Sequence, residues 1–436
     1  MLDIRFIREN PGAVKNDLRK RGALDKITWV DDLLTYDREW RNLLTDANRL
    51  RKRRNEVTEE IRKLVKEEKD EDEIAAHLLK HENKLRKNNA EIKRLEVEAQ
   101  SYREKVDYFL LRLPNIMHET VPLGKDENDN VEVRRGGEIS QFDFKPKDHI
   151  ELALILDLID LERAAKVAGA RFYFLKNILV QLNYALIKYA LEFIERKGFI
   201  PIQPPYIIKR KAIGGAVALS DFEDMIYKVE GEDLYLIATS EHAILAMHMD
   251  EILEGKILPL KYAGISPCFR REAGAHGRDT KGIFRVHQFE KIEQFIFCKP
   301  DDSWKEHEKL IANAEEFFQN LKLPYRVVNV CSGDLGTVAA KKYDLEVWLP
   351  GQNKFREAVS CSNCTSYQAV RSRIRYRDRP NDSPTCVNTL NSTLVATERA
   401  LIAILENYQQ KDGTVEIPKV LLPYMNGVEK IIPNKV

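Results

Sequence analysis

Cysteine is scarce in this sequence: six in 436 residues, at 268, 298, 331, 361, 364 and 386, all in the second half. So sparse a set excludes a disulfide-stapled scaffold and favours a reducing compartment. No apolar run approaches the ~18 residues that a membrane span requires. The opening MLDIRFIRENPGAVKNDLRKRG also lacks a basic segment followed by a signal-type apolar stretch. The expectation is a soluble, cytoplasmic protein with no membrane partner. Excess charge of one sign is missing as well, with 70 Lys and Arg against 69 Asp and Glu. Any affinity for nucleic acid must therefore come from local clusters. Glycine-rich phosphate loops of the Walker or dinucleotide type do not occur, so a bound nucleotide would have to be held in another way.

What is present begins with charge patterning. A highly charged stretch from about residue 30 to 113 carries a seam at Leu33, Tyr36, Trp40, Leu43, Ala47, Leu50, Arg54, Val57, Ile61 and Leu64. These positions alternate three and four apart, which is a heptad pattern. The polar run KEEKDEDE interrupts it. The alternation then resumes at Ile74, Leu78, His81, Leu85, Asn88, Ile92, Leu95, Ala99, Tyr102, Val106, Phe109 and Leu113. Two matched helices with one short break make an antiparallel hairpin, and Pro114 ends it. At ~1.5 Å per residue each helix reaches roughly 45 to 60 Å. Arg54, His81 and Asn88 interrupt the seam as register-fixing polar residues. RLRKRR at 49–54 spreads Arg49, Arg51, Lys52, Arg53 and Arg54 around one helix. A charge run is ordinarily a solvated face; phosphates are the alternative.

After about residue 150 the composition becomes mixed. An amphipathic helix is expected near 171–197, ending at Lys197-Gly198, followed by strand-like runs such as YLIAT, FRVHQFEKIEQFIF, YRVVNV and DLEVWL. Irregular Gly and Pro punctuation favours an antiparallel sheet over a doubly wound one. The stretch SPCFRREAGAHGRDTKGIFRVHQFEKIEQF at 266–295 predicts a hairpin with a long basic tip. Period-two spacing puts Arg270 and Glu272 on one strand face, a guanidinium fork for phosphate and a carboxylate for an exocyclic amine.

Here FR-x-E-x-G followed by HQFxKxE resembles the second signature motif of class II aminoacyl-tRNA synthetases, and of their seryl family in particular. GFIPIQPPYI, with Gly198 and Pro205, resembles the first motif, and NTLNSTLVATERALIAILENYQ, with Arg399, the third. The opening MLDIRFIRENP and the hairpin are similar to that family's N-terminal domain. The implied fold is α+β: an N-terminal antiparallel coiled-coil arm within a tRNA-binding domain (1–114), then a class II catalytic domain (115–436) with an antiparallel β-sheet flanked by helices. The implied activity is activation of L-serine with ATP and transfer to tRNA-Ser; whether selenocysteine tRNA is also a substrate stays open. The first motif implies a homodimer.

The resemblance also implies roles. Arg270 and Arg285 are the catalytic cations, on the α-phosphate and the terminal phosphates. Glu272 accepts from the adenine amine, and the adenine stacks between Phe289 and Arg399. Arg271, Val286, Ala358 and Val359 complete the ATP set. Glu357 and Ser360 are the magnesium ligands. Thr239 and Glu241 hold the serine α-amino group, Ser240 between them belongs to the serine set, and Glu293 and Thr393 hold its hydroxyl. Arg49, Arg51, Lys52 and Arg53 would contact tRNA. STLVATER replaces the bacterial GSGLAVGR, which sets Glu398 beside Arg399, and KAIGGAVALSDFEDM at 211–225 lacks the usual glycine- and glutamine-containing element. Both departures look archaeal. Cys361 and Cys364 form a C-x-x-C, but two further ligands of suitable spacing are missing, so no zinc is expected. His287 is expected to be a strand residue. Two rivals remain: a class II ligase serving a carrier protein, which has no use for the arm, and a non-catalytic relative, which would have lost ATP-site residues.

Overall fold

The computed structural model describes residues 1–67, 71–217, 225–272 and 282–433. It contains two compact units, one of Asp3–Arg19 with Ala23–Leu113, the other of Pro114–Val436 with Met1–Leu2 and Lys20–Gly22.

In the smaller unit, α1 (Ile27–Glu67) and α2 (Glu71–Leu110) pair along their length. Of the seam, Leu33, Ala47, Val57, Ile92, Leu95, Ala99, Val106 and Leu113 are buried. Residues 68–70 of the charged joint lie outside the described residues. The base of the hairpin is aromatic: Phe109 stacks on Tyr36 with centroids 6.0 Å apart and meets the Trp29 ring edge-on at 5.6 Å. Asp37, fully buried, accepts from Arg8 at 2.6 Å and from Arg41 at 3.0 Å, so its charge is paired twice. Further along, Arg51 is ion-paired with Glu96 of the opposite helix. Arg49 has a 77% exposed side chain beside Asp46, and Lys52 and Arg53 are exposed too.

The larger unit is built on an eight-stranded sheet: β1 (Val131–Gly136), β2 (Ile200–Ile202), β3 (Leu260–Phe269), β4 (Gln288–Cys298), β5 (Tyr325–Asn329), β6 (Lys341–Leu349), β7 (Lys354–Asn363) and β8 (Asn388–Ala396). Their order is β1-β5-β6-β7-β8-β4-β3-β2, antiparallel except for the edge pair β2 and β3. Helices α3 (Ile178–Arg196), α5 (Ser303–Asn320) and α6 (Thr397–Asn407) share its main apolar core; a short helix α4 (Glu241–Met247) precedes β3. Alternation along β4 sends Ile292, Gln294 and Ile296 toward the core, with Gln294 donating to the Leu310 carbonyl of α5 at 3.2 Å. Phe289, Lys291 and Glu293 face the other way.

Three local expectations are corrected. The helix expected from 171 begins at Ile178, because Asn177 has φ +52 and the preceding Phe174–Leu175 is a short strand. At its far end Gly198, with φ +80, breaks the helix as expected. FRVH at 284–287 precedes β4 instead of opening it, so His287 is not a strand residue; its Nδ1 lies 2.8 Å from the Arg270 carbonyl. Arg270 and Glu272 are not on a strand face either: β3 stops at Phe269, and Glu272 has φ +51. The basic tip between them, 273–281, lies outside the described residues, as do 218–224 of the loop at 211–225. No described helix is long and apolar enough to cross a membrane.

Candidate active site

A cavity of about 310 Å³ opens on the sheet face away from the helical core, and its walls are strongly polar. Strand alternation supplies Phe289, Lys291 and Glu293 from β4. Two β-bulges supply the neighbours. In β7 the pairing passes from Leu345↔Val359 to Glu346↔Glu357, so Ala358 is the extra residue and Glu357 turns to the face of Ser360. In β8 it passes from Thr393↔Glu293 to Val395↔Ile292, which places Asn391, Thr393 and Ala396 together on the cavity side.

One end of the cavity is a buried hydrogen-bonded chain. Lys291 Nζ lies 2.5 Å from Glu293 Oε2 and donates to Thr239 Oγ1 at 2.9 Å. Thr393 Oγ1 donates to the same Glu293 oxygen at 3.1 Å. Glu241 accepts from Gln368 at 2.6 Å and from Asn391 at 3.2 Å. Desolvation at the cavity floor and then the nearby Glu293 push the Glu241 carboxyl up to about 7. The turn carrying Thr239 and Glu241 is seated against β3 at Gly264, where an added Cβ would come within 2.4 Å of Ser240 Oγ.

The other end gathers cations and rings. The Arg270 guanidinium lies 5.0 Å from the Phe289 ring centroid, and its Nε donates to the Ala238 carbonyl at 3.3 Å. Arg285 meets Glu272 at 3.3 Å and keeps a buried Nε with no partner. Arg399 stands 5.0 Å over Phe284 and donates to the Glu357 carboxylate at 2.9 Å. Two arginines on flat rings beside a carboxylate suit a purine triphosphate. Glu398 is buried under this end. Both its oxygens accept from the Glu290 amide at 3.1 Å, Tyr173 donates to it, and burial pushes it up to about 7.

The Seryl-tRNA synthetase N-terminal domain family matches residues 1–117, and the tRNA synthetase class II core domain (G, H, P, S and T) family matches 225–408. Serine–tRNA ligase from Methanocella arvoryzae is 57% identical over 98% of this chain and 100% of its own. The chain belongs to the seryl-tRNA synthetase family. The seryl-tRNA synthetase of Pyrococcus horikoshii, solved in complex with ATP, superposes with TM-score 0.91 at 54% identity, both chains covered in full. The cytoplasmic serine–tRNA ligase of Naegleria fowleri, solved with AMP, superposes at TM-score 0.86 and 39% identity over 100% of this chain and 99% of its own. A prolyl-tRNA synthetase from Giardia lamblia, 16% identical with TM-score 0.55 over 63% of this chain and 55% of that one, shares the fold. The archaeal relatives agree with the branch to which STLVATER pointed.

Thirteen of the expected residues line one cavity: Thr239, Glu241, Arg270, Glu272, Arg285, Val286, Phe289, Glu293, Glu357, Ala358, Ser360, Thr393 and Arg399. Three do not. Ser240 is fully buried and donates to the Gly264 carbonyl at 3.4 Å. Val359 pairs with Leu345 and packs in the core. Arg271 is exposed, its amide donating to the Met225 carbonyl at 2.9 Å. The ring over which Arg399 stands is Phe284, while Phe289 carries Arg270. Lys291, Asn391, Phe284 and Glu398 line the cavity too, and sequence reasoning had assigned none of them to it. Lys291 was within reach, since 289, 291 and 293 share one face at period two. Cys361 and Cys364 are buried free thiols, and no cluster of three metal-ligating side chains occurs among the described residues.

Proposed function

We propose that this cavity carries out both half-reactions of a serine–tRNA ligase, with serine held at the Thr239–Glu293 end and ATP at the Arg270–Arg399 end. The chain activates serine with ATP and transfers the seryl group to tRNA-Ser. The observation that carries the assignment of the ends is charge: buried carboxylates, Glu293 with a hydroxyl partner and Glu241 with amide partners, at one, and arginines on aromatic rings at the other. Glu241 takes the α-ammonium of serine. Glu293, already accepting from Thr393, takes the side-chain hydroxyl. Arg270 neutralises the α-phosphate as the serine carboxylate attacks it and diphosphate leaves. Arg285 draws the terminal phosphates, and its unpartnered Nε leaves a donor for them. Glu272 accepts from the adenine amine. Catalysis is then positioning and charge neutralisation, with no protein nucleophile.

Magnesium fits the remaining donors. Glu357 and Ser360 offer hard oxygen on one face, and beside them the buried Asp344 keeps an Oδ1 without a partner, an environment that suits a divalent cation. Bound there, the ion would neutralise phosphate charge. The two chains of a homodimer would meet over α3 and β2, where Tyr184 and Ile200 are 63% and 55% exposed. Sedimentation of the active enzyme as a monomer would refute this.

ATP–diphosphate exchange over all amino acids tests the assignment. Glu293→Gln and Thr393→Val are each expected to weaken serine activation by about 1 to 3 kcal/mol, with the KM for ATP unchanged. Equal losses for serine and alanine would show that these residues do not read the hydroxyl.

Glu241 adds a pH dependence. Its folded-state pKa lies above the ordinary 4.5, so the stability from its bound proton is complete below 4.5 and lost as pH rises through about 7. Binding an ammonium needs the deprotonated carboxylate. The KM for serine is therefore expected to fall as pH rises from about 6 to about 8, a dependence that Glu241→Gln removes. A KM for serine that is flat over that range in the unaltered enzyme would take Glu241 out of the ammonium role.

A further inference from the structure

The serine end holds two carboxylates, Glu241 and Glu293, and one ammonium, Lys291, whose side chain is 7% exposed. Either carboxylate could capture an ammonium. A substrate with one α-ammonium and a side chain of one carbon and one heteroatom could bind in two orientations, and only one of them presents its carboxylate to Arg270. Lys291 breaks this symmetry. Its Nζ lies 2.5 Å from Glu293 Oε2 and bridges to Thr239 at 2.9 Å, whereas Glu241 is met by the neutral amides of Gln368 and Asn391.

We propose that Lys291 is a specificity-determining residue: its ammonium occupies Glu293, reserves that carboxylate for a neutral hydroxyl, and excludes amino acids with a cationic side chain. The inference rests on the serine assignment above and adds to it the reason that the two carboxylates differ. Formal charge at this end is −1, and the single α-ammonium of serine neutralises it. A second ammonium, as in 2,3-diaminopropionate, would sit against Lys291 in a low-dielectric pocket, where like charges are costly. Asn391 and Thr393 line the same end and bring no charge. Arg270 is the other cation that acts on Glu241, and His242, buried and pushed down to about 3 by burial, is neutral at working pH.

The test is amino-acid-dependent ATP–diphosphate exchange by K291M, E293Q and K291M/E293Q with serine, alanine and 2,3-diaminopropionate. In K291M the KM for serine is expected to rise about a hundredfold while the KM for ATP stays within about threefold. Activation of 2,3-diaminopropionate relative to serine is expected to rise at least about tenfold, because Glu293 is now free to take the second ammonium. E293Q leaves the ammonium buried without its partner and does not gain diaminopropionate. K291M/E293Q, which removes both charges, is expected to recover serine activation relative to either single variant, with no gain for diaminopropionate. An unchanged preference in K291M overturns the proposal. If K291M fails to fold, the double variant decides: serine activation above that of E293Q with no gain for diaminopropionate supports the proposal, and an ATP-binding double variant that stays as impaired as E293Q overturns it. If E293Q discriminates serine from alanine as the unaltered enzyme does, the assignment of Glu293 to the hydroxyl fails, and the fault lies there instead of with Lys291.

Discussion

Shortening the helical arm is expected to abolish tRNA charging while serine-dependent ATP–diphosphate exchange stays within a factor of about two. Joining Ala47 to Ala99 through a short flexible linker removes the distal arm and keeps its aromatic base, where Trp29, Tyr36 and Phe109 pack together. Both joined residues are buried on the seam, at 0% and 3% exposure, so the remaining helices keep their packing. The reason for so unequal an effect is reach. A helix of 41 residues extends about 60 Å at ~1.5 Å per residue, which is the reach we propose for gripping tRNA-Ser at a point far from its acceptor end. Adenylate chemistry needs none of that length. The cluster Arg49, Lys52 and Arg53 permits a milder version. These residues are exposed, whereas Arg51 is engaged with Glu96 across the hairpin. Reversing the three exposed charges is expected to raise the KM for tRNA and flatten its salt dependence, by about 0.7 to 0.9 in log-log slope for each phosphate that is no longer neutralised. An enzyme with the shortened arm that charges tRNA-Ser at the original rate would assign the arm another job.

The arm was legible because its signal is repetitive: a heptad seam over two helices survives the interruptions at Arg54, His81 and Asn88, since each turn repeats the pattern. His81 and Asn88 do bear out their cost, as each keeps a buried side-chain nitrogen without a hydrogen-bond partner. The sheet's antiparallel character was legible from the irregular Gly and Pro punctuation between its strand-like runs. What could not be read was set by single residues that break period. The bulge at Ala358 rotates Glu357 onto the face of Ser360, and the one after Thr393 brings Ala396 to the cavity; strict alternation predicts neither. Asn177 at φ +52 delays α3 by seven residues from the expected 171, and Glu272 at φ +51 leaves the strand yet still enters the cavity. Gln368 reaches Glu241 from a helix 127 positions away, a contact that no local pattern encodes. Val359, expected at the ATP site, faces the core by simple alternation with Ser360.

Replacing Arg270 with methionine is expected to lower the rate constant of adenylate formation by about a thousandfold, with a much smaller change in the KM for ATP. Arg270 lines the cavity beside the ring of Phe289, where the proposed assignment puts the α-phosphate that the serine carboxylate attacks. An interaction that strengthens only there alters the rate constant and leaves ground-state binding to Arg285, Glu272 and the rings. Lysine is expected to recover no more than about tenfold, because a point charge reproduces neither the planar contact with Phe289 nor a two-pronged grip on phosphate. The backbone argues for the same division of labour. The Arg270 amide donates to the His287 carbonyl at 2.9 Å, and His287 Nδ1 lies 2.8 Å from the Arg270 carbonyl. The residue is thus fixed by main-chain contacts that neither substitution removes, so both variants keep the site's geometry and differ from the unaltered enzyme in the guanidinium alone. Single-turnover formation of seryl-adenylate at saturating serine and ATP separates the two quantities. A loss confined to the KM for ATP, with the rate constant intact, would make Arg270 a binding residue and move the burden of the α-phosphate to Arg285 or Arg399.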